Sequence, residues 1–366
     1  MKIDIRSLVM TLTAPLLALV FAVLVTSIIL FAAGDPVWTV WSTIFSEPRP
    51  RNIVNIINSS SVLYLSALAA AVGFRMGLFN IGVDGQYRLA AFVAAYVAGQ
   101  AWLPGALNVL LAVVTAMLVG AMWAGIAGIL RVTRGVSEVI STIMLNAIAT
   151  ALVAYLLRQV AMPGSNNITT TPIPESSRVP GIPLVPDAHN EVYGFVLLAL
   201  LAGFFYWALL NRTRFGFDLR ATGMSESAAV ASGINVKRMV VYSMLISGAI
   251  AGLVGMPLLF GDSYSYGVTF QPGLGFAGIA VALLGRNHPI GIAIGALLFA
   301  FLNEQSNALQ LQAGVSDEIV KIIQGVIVLS VVIAYEVVRR ANNAAEQRKV
   351  AQQLAQARAD AAEEVV

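Results

Sequence analysis

The sequence contains no cysteine and few charged side chains. Because none of its 366 residues is a cysteine, disulfide bonds, thiolate metal sites and cysteine nucleophiles are excluded. The two histidines, His189 and His288, lie far apart in the chain, which argues against a metal centre. Charged residues amount to 11%, less than half of the roughly 25% found in soluble domains. A composition this poor in charge is not that of a water-soluble globular protein.

Long apolar runs take the place of the missing charge. Hydrophobic residues make up 58% of the sequence and the mean hydropathy is +0.80, so we predict a multi-pass membrane protein of all-α fold. At ~20 residues a span, the runs amount to about ten transmembrane helices. The predicted helices cover residues 9–33, 55–74, 85–101, 105–130, 137–158, 192–211, 239–260, 274–285, 289–304 and 318–338. The segments 274–285 and 289–304 are short for a span and could be half-helices or re-entrant segments.

The distribution of lysine and arginine indicates how the chain is oriented in the membrane. If the N-terminus is cytoplasmic, the inner loops and ends collect sixteen basic residues and the outer loops five. Cytoplasmic loops carry the excess of positive charge in membrane proteins, so both termini are predicted to lie on the cytoplasmic side. The membrane itself is predicted to be the cell (plasma or inner) membrane. The net charge of +3 is small, so nucleic acid is not an expected partner. Membrane lipid is the expected partner of the apolar surface.

One transmembrane domain is expected over residues 1–340, without a soluble domain between its helices. Its first apolar run lacks a small-residue cleavage site and is interpreted as an uncleaved helix. Residues 34–54 are predicted to form an outer interfacial segment, since tryptophan favours the headgroup level. The outer loop 161–191 holds six prolines and either docks an external partner or simply connects two helices. Residues 341–366 are predicted to form a polar cytoplasmic tail.

Two sets of four predicted helices can be laid over each other in order. Helices two to five begin outside and helices seven to ten begin inside, which is the pattern of an inverted repeat. In each set the connection between the first two helices is rich in glycine, at residues 73–86 and 261–278. Backbone interrupted at membrane depth can present amides and carbonyls to a polar solute. Dense glycine also permits tight helix packing, and of the two readings we favour the solute pathway.

Ionisable and amide side chains at membrane depth form a second group of candidates. Such groups are costly in lipid and therefore indicate function by default. The predicted substrate-pathway residues are Asn80, Asp84, Gln86, Glu138 and Asn146. Structural explanations stand beside this one. Asp84 lies four residues before Arg88 on a helix and could pair with it. Glu138 could complement a helix dipole, and Asn146 could form an interhelical hydrogen bond.

The inner loop 212–238 is the most informative segment of the sequence. A short helix is predicted from Ser225, which can cap it, with Glu226 in its first turn and Gly233 at its end. Its small residues leave a smooth surface that could fit a groove on another protein. A transporter driven by a separate ATPase needs such a short, rigid element to receive motion from that subunit. An ordinary cytoplasmic connector is the alternative.

This loop resembles the cytoplasmic coupling segment of ABC importer permeases of the branched-chain amino acid, ribose and simple-sugar family. The matching positions are Phe215, Gly216, Leu219, Arg220, Ala221, Gly223, Ala228, Ala229, Gly233 and Ile234. Residues 77–86, 137–146 and 273–289 are similar to one branch of that family, the nucleoside importers of the basic membrane protein type. The resemblance covers residues 55–336. One departure is Asp84, where the branch more often has the longer glutamate.

The resemblance implies one subunit of an importer, without catalytic residues, metal or cofactor of its own. ATP would be hydrolysed on separate ATP-binding subunits, since the chain contains no Walker-type glycine loop. A second permease, either a related chain or a second copy of this one, and an external substrate-binding lipoprotein that delivers nucleosides would complete the importer. Coupling to the ATPase is assigned by resemblance to Phe215, Gly216, Arg220, Gly223, Ala228, Ala229 and Gly233, and from the predicted helix start to Ser225 and Glu226.

Other functions are also considered. A simple sugar could be the solute in place of a nucleoside. An ion-coupled secondary transporter would likewise use inverted repeats and broken helices, but it would work without ATP and stop when an ionophore collapses the ion gradient. A membrane enzyme is disfavoured, because two unclustered histidines and no cysteine leave no convergent catalytic set.

Overall fold

The computed structural model describes residues 20–161, 168–316, 318–334, 336–338, 340 and 347. Within this part of the chain the regular secondary structure is helical, with two isolated β-bridges in the loops. The helices are α1 (Val20–Ala33), α2 (Val37–Ile44), α3 (Pro50–Arg75), α4 (Val83–Gly99), α5 (Gly105–Arg134), α6 (Glu138–Val160), α7 (Val196–Arg212), α8 (Arg214–Met224), α9 (Glu226–Ala231), α10 (Val236–Ser263), α11 (Leu274–Leu284), α12 (Pro289–Ala313) and α13 (Glu318–Val338). The predicted all-helical membrane fold is thereby confirmed.

Each predicted helix corresponds to a helix wherever the structure describes the chain. Six of them are long and apolar enough to cross a membrane, namely α3, α5, α6, α10, α12 and α13. A seventh span results if α7 and α8, which meet at an angle of 75°, are counted together. The count of ten transmembrane helices therefore stays a prediction. Residues 9–19 of the first predicted helix and nearly all of the tail 341–366 lie outside the described residues.

The two segments expected to be short behave differently. Helix α11 has only 11 residues, as predicted. Helix α12 does not end near residue 304 but continues to Ala313 and reaches 25 residues, long enough for a span. Its last turns are polar, which resembles a loop in a hydropathy reading, but glutamine, alanine and leucine are good helix formers.

The described residues belong to two compact units, one made of residues 45–305 and the other of residues 1–44 and 306–366. In the second unit the Trp41 indole donates a hydrogen bond to the Ser27 hydroxyl at 3.0 Å and so joins α2 to α1. Trp38 leaves 84% of its side chain exposed on α2, as an interfacial tryptophan would. The predicted interfacial segment 34–54 thus contains α2, and its last residues already belong to α3.

Helix α3 is the buried centre of the larger unit. Its middle, from Val62 to Gly73, is buried throughout. It packs against α7, α10 and α11, and α10 packs most extensively against α5. Gly120 of α5 and Gly248 of α10 lie so close that a Cβ on either residue would overlap the other's carbonyl oxygen. Small residues let helix backbones approach closely, and such contacts commonly stabilise helix packing in membrane proteins.

The packing of these helices is reciprocal between the two halves of the chain. Helix α3, first in one set, packs on α11, second in the other. Helix α10, first in the second set, packs on α4, second in the first, and α3 and α10 pack on each other. This exchange is what a pseudo-two-fold axis between inverted repeats produces. The inverted repeat stays a prediction that this packing favours.

Candidate functional site

The connection between α3 and α4, residues 76–82, is the first part of the site; we call it the link. Gly77 turns the chain with φ of +77°, and the Leu78 amide returns to the Gly73 carbonyl at 2.9 Å. The link then leads into α4 at Val83. It is therefore an ordered interruption between two helices, held by its own backbone hydrogen bonds.

Two predicted pathway residues, Asn80 and Gln86, bind each other across this interruption. The Asn80 amide donates to Gln86 Oε1 at 3.1 Å, and the Gln86 amide donates to Asn80 Oδ1 at 2.9 Å. Asn80 also donates to the Ser247 hydroxyl of α10 at 2.8 Å, and Ser247 donates to the Ala69 carbonyl of α3 at 2.6 Å. Both amide side chains are fully buried. The pair thus ties the link to α10 and α3.

Two further pathway candidates attach the link to other helices. The Asn146 amide of α6 donates to the Ile81 carbonyl at 2.8 Å, and its oxygen accepts from the Gly85 amide at 2.8 Å. Asp84 accepts from the amide of Gly275, at the start of α11, at 3.3 Å. Asp84 is also 3.9 Å from the Arg88 guanidinium, so the predicted ion pair is present. These side chains hold backbone in place, and their contact with a solute stays a prediction.

Glu138, the fifth candidate, lies apart from this cluster, at the first residue of α6. Its Oε1 accepts the amide hydrogen of Phe79 in the link at 3.2 Å. Its other oxygen forms an ion pair with Arg131, near the end of α5. Arg131 in turn lies 3.5 Å from the carboxylate of Glu226 in the inner loop. A chain of polar contacts therefore runs from the inner loop to the link, and we call it the Arg131 relay.

The inner loop folds into α8 and α9 where the sequence predicted a single short helix. Thr213 caps α8, and Ser225 caps α9 by accepting from the Ala228 amide at 3.3 Å. Gly233 ends this segment with φ of +81°. The predicted cap, first turn and terminating glycine are thus confirmed. Helix α8 was not predicted, because its residues have little hydrophobic character on average and include Arg214 and Arg220.

The coupling candidates divide into residues that face the permease and residues that face away. Gly216 is buried against the backbone of Leu209 and Leu210, and the Arg220 guanidinium donates to the Leu210 carbonyl at 2.6 Å. Phe215 is half-buried, and Ala229 is 2% exposed. Ser225 is half-buried, while Glu226 and Ala228 are exposed. The loop is therefore anchored on one side and free on the other.

Gly223 brings the inner loop into close contact with the end of α3. A Cβ on Gly223 would overlap the Arg75 carbonyl oxygen and lie 2.9 Å from the carbonyl carbon of Met76. These two residues are the end of α3 and the beginning of the link. We call this contact the Gly223 seat. It places the inner loop directly on the backbone that leads to Asn80.

Arg75 also fixes the turn between α11 and α12. Its guanidinium donates two hydrogen bonds to the Asn287 carbonyl, at 3.2 and 2.9 Å, and the Tyr206 hydroxyl donates a third at 2.8 Å. Arg286 and Asn287 both have positive φ, near +54°, which is uncommon for residues other than glycine. This role of Arg75 is not evident from the sequence, where Arg75 counts only as one of the inner positive charges.

Three apolar side chains that are exposed on α8 and α9 are not among the residues predicted from the sequence. Phe217, Met224 and Val230 are 63%, 87% and 62% exposed. Their exposure on a segment outside the long apolar helices makes them candidates for a protein contact. Their signal in the sequence is large apolar residues among small and charged ones, whereas the sequence prediction of a contact surface rests on the small residues of the loop.

Comparison with known proteins finds one matching family and several similar transport proteins. The family described as branched-chain amino acid transport system / permease component matches residues 52–332. The guanosine ABC transporter permease protein NupP of Bacillus subtilis (strain 168) is 34% identical over 89% of this chain and 94% of its own length. The nucleoside permease protein NupB of Lactococcus lactis subsp. cremoris (strain MG1363) is 32% identical over 88% and 90%. The glucose permease protein TsgB13 of Haloferax volcanii is 31% identical over 86% and 85%.

These matches extend over most of the chain and include the link, the Arg131 relay and the inner loop. Together with the apolar helices, they identify a multi-pass protein of the cell membrane with a transport role. The chain belongs to the branched-chain amino acid transport system / permease component family and is the permease component of an ABC transporter.

Proposed function

We propose that this permease imports nucleosides and that ATP hydrolysis on a separate subunit drives the transport through the inner loop 212–238. The observation that carries the proposal is the Gly223 seat, where this loop rests on the end of α3 and the link. The choice of nucleosides is supported by the guanosine and nucleoside permeases among its relatives. No ATP or other cofactor is assigned to this chain.

In this mechanism the inner loop moves the link by two routes. The Gly223 seat transmits displacement by direct contact to Arg75 and Met76. The Arg131 relay transmits it through charge-assisted hydrogen bonds to the Phe79 amide. Because the Asn80–Gln86 pair joins the link to α10 and α3, a shift at the loop is passed to the helices of both repeats.

The topology that this mechanism needs has both termini in the cytoplasm and ten membrane segments. The six long spans would be joined by α7 and by the shorter α1, α4 and α11. The membrane domain would occupy residues 1–340 and the polar tail residues 341–366. The contact of Arg75 and Arg131 with the inner loop supports one common, positively charged inner side.

The complete importer would contain ATP-binding subunits, a second permease and an external substrate-binding lipoprotein. The second permease would be a related chain, as the resemblance implies. The exposed apolar face of α6, with Ile140, Met144 and Ile148, suits either that chain or lipid. The exposed residues Phe217, Met224 and Val230 are assigned to the ATP-binding subunit, since they are exposed apolar side chains on the two helices of the inner loop that contains Gly223.

Purification of the tagged chain from native membranes tests the class of transporter. We expect an ATP-binding subunit and a second permease to be identified by mass spectrometry. We also expect uptake of labelled guanosine to stop when ATP is depleted and to continue when an ionophore collapses the ion gradient. Transport by the chain alone in liposomes without ATP would instead establish an ion-coupled transporter.

Replacing Met224 with glutamate tests the interface with the ATP-binding subunit. We expect recovery of that subunit to fall by about tenfold or more, since an apolar interface anchor is worth ~2 kcal/mol. Met224 is 87% exposed, so the change leaves the fold of the permease intact. Gln100→Glu, an exposed position on the opposite side, is the control and should retain full recovery. Equal recovery with both variants would contradict the assigned interface.

A simple sugar is the second candidate solute, and one observation favours it. The glucose permease of Haloferax volcanii is nearly as similar to this chain as the nucleoside permeases are. Competition decides between the two. Excess unlabelled guanosine should suppress guanosine uptake completely, and excess glucose should not affect it if nucleosides are the substrates.

A further inference from the structure

A polar cavity of about 330 Å³ lies at the end of α3 that is remote from the Gly223 seat. It is formed by the first turns of α3, the loop before α7 and the end of α10, with Arg51, Asn55, Asn190, Glu191, Asp262 and Tyr264 in its wall. Small-molecule sites have volumes of roughly 300–1,000 Å³. The cavity is therefore large enough for one small solute.

The cavity and the inner loop lie at opposite ends of the same helix. Helix α3 has 26 residues and, at ~1.5 Å per residue, is about 39 Å long. Arg51 is in its first turn and Arg75 in its last, where the Gly223 seat begins. With the inner loop in the cytoplasm, the cavity opens to the outside, where a solute would arrive.

Hydrogen-bonding groups surround the cavity, and one of them has no partner. The Asn190 amide donates to Asn55 Oδ1 at 2.8 Å and to the Arg51 carbonyl at 3.3 Å. Its own oxygen, Asn190 Oδ1, is buried without a hydrogen-bond partner. An unsatisfied buried acceptor costs ~1–3 kcal/mol, so such an atom indicates a donor supplied by water or by a ligand.

The end of α10 has an unusual backbone where it borders the cavity. Residues Leu259–Ser263 form a π-helical turn that contains Asp262, and Tyr264 follows with φ of +47°. Single π-turns are rare and frequently occur at functional sites. The Arg178 guanidinium lies 4.2 Å above the Tyr264 ring and holds its orientation. The backbone thus places a carboxylate and a fixed aromatic ring beside the cavity.

A second phenol, that of Tyr193, completes the wall. Its amide donates to Asn58 Oδ1 at 2.8 Å, which fixes the residue against α3. Burial raises the pKa of Tyr193 to about 12, with further contributions from the neighbouring Asp262 and Tyr264. Tyr193 therefore keeps its proton at physiological pH and can donate a hydrogen bond.

We propose that this cavity is an outer binding site for the vicinal hydroxyl groups of the transported solute. Carboxylates accept hydrogen bonds from hydroxyls, and Glu191 and Asp262 supply two such groups in the wall of the cavity. The rings of Tyr193 and Tyr264 provide flat surfaces beside them. The diol can belong to the ribose of a nucleoside or to a simple sugar. The inference rests on the proposed importer function and adds the place where the solute first binds.

The absence of cysteine makes a labelling experiment direct. In the full transporter, Arg51→Cys places the only thiol of this chain in the cavity wall, a membrane-impermeant thiol reagent is added from outside, and labelling is measured on this chain. We expect adenosine at about four times its Kd to slow labelling by about fivefold, since the unoccupied fraction falls as 1/(1 + [L]/Kd). The nucleoside 2′,3′-dideoxyadenosine, which lacks both hydroxyls, should give no protection. Ribose and glucose as further probes show whether the diol of a free sugar suffices.

Two controls separate this site from other effects. A thiol at Gln100→Cys, exposed on the same side outside the cavity, should be labelled at one rate with and without adenosine. Adding Asp262→Asn to Arg51→Cys should raise the protective concentration about tenfold, as loss of one charge-assisted hydrogen bond of ~1.5 kcal/mol implies. Labelling of Arg51→Cys that no probe slows, in a transporter that still imports guanosine with ATP, overturns the site and leaves the importer function standing. Protection without ATP-driven import would instead overturn the function and keep the site.

Discussion

Replacing Gly223 with valine is expected to remove most ATP-driven uptake while the protein still inserts into the membrane. The Cβ of any larger residue overlaps the Arg75 carbonyl oxygen and approaches Met76, so α8 must lift away from the end of α3. Overpacking costs ~1–3 kcal/mol, and we therefore expect uptake to fall by about 10- to 100-fold. Uptake of labelled guanosine, measured together with the amount of inserted protein, gives the result.

The matched control is valine at Gly325, a glycine of α13. No atom lies within 4 Å of the position that a Cβ would take there, and the backbone φ is not positive. Gly325→Val should therefore retain normal uptake. If Gly223→Val also transported normally, the Gly223 seat would have no part in coupling, and motion would have to reach the link through the Arg131 relay alone.

The helices and the caps of the inner loop could be predicted because they depend on local sequence. Apolar runs of sufficient length give helices in almost any membrane protein, since lipid leaves the backbone no other way to satisfy its hydrogen bonds. Ser225 and Gly233 were recognised because capping needs a short polar side chain before a helix and a residue that tolerates positive φ after it. Each of these features involves residues within one or two turns of each other.

The functional contacts could not be predicted to the same depth, because they join distant parts of the chain. Asn80 and Gln86 were recognised as polar residues at membrane depth, but nothing in the sequence indicates that they bind each other and Ser247. Arg131 was counted only as an inner positive charge. The outer cavity combines Arg51, Asn190 and Asp262, which have no common motif. Such sites become visible only when the packing of the helices is known.

Helix α12 illustrates a different limit. Hydropathy places its end near residue 304, because the following turns are polar. The structure continues the helix to Ala313. One side chain in these turns, that of Gln312, accepts a hydrogen bond from the Thr43 hydroxyl of α2 at 3.4 Å. A polar helical turn that contacts a polar partner is as stable a part of a helix as an apolar turn in lipid, because in both cases the side chains meet surroundings of their own polarity. Hydropathy reports the surroundings of a helix better than it reports where the helix ends.

Replacing Glu138 with glutamine is expected to uncouple ATP hydrolysis from transport. Glutamine still accepts the Phe79 amide hydrogen, but it removes the negative charge that pairs with Arg131. Only 7% of the Glu138 side chain and 29% of the Arg131 side chain are exposed, so Arg131 loses its buried partner and keeps only the exposed carboxylate of Glu226. A hydrogen bond to a charged group is worth ~1.5–3 kcal/mol, which corresponds to about 10- to 100-fold in the number of solutes moved per ATP.

A double-mutant cycle separates this effect from simple loss of stability. Arg131→Gln alone should uncouple as Glu138→Gln does, whereas the double variant should lose little more than either single one, because the two residues act as one link. Arg340→Gln, which breaks an exposed ion pair with Glu336, should leave coupling unchanged, since exposed pairs contribute only ~0–1 kcal/mol. The measurement is guanosine uptake divided by ATP hydrolysis in proteoliposomes of the complete transporter. If the effects of Arg131→Gln and Glu138→Gln multiply, the two residues act independently, and the Arg131 relay does not carry motion from the inner loop to Phe79.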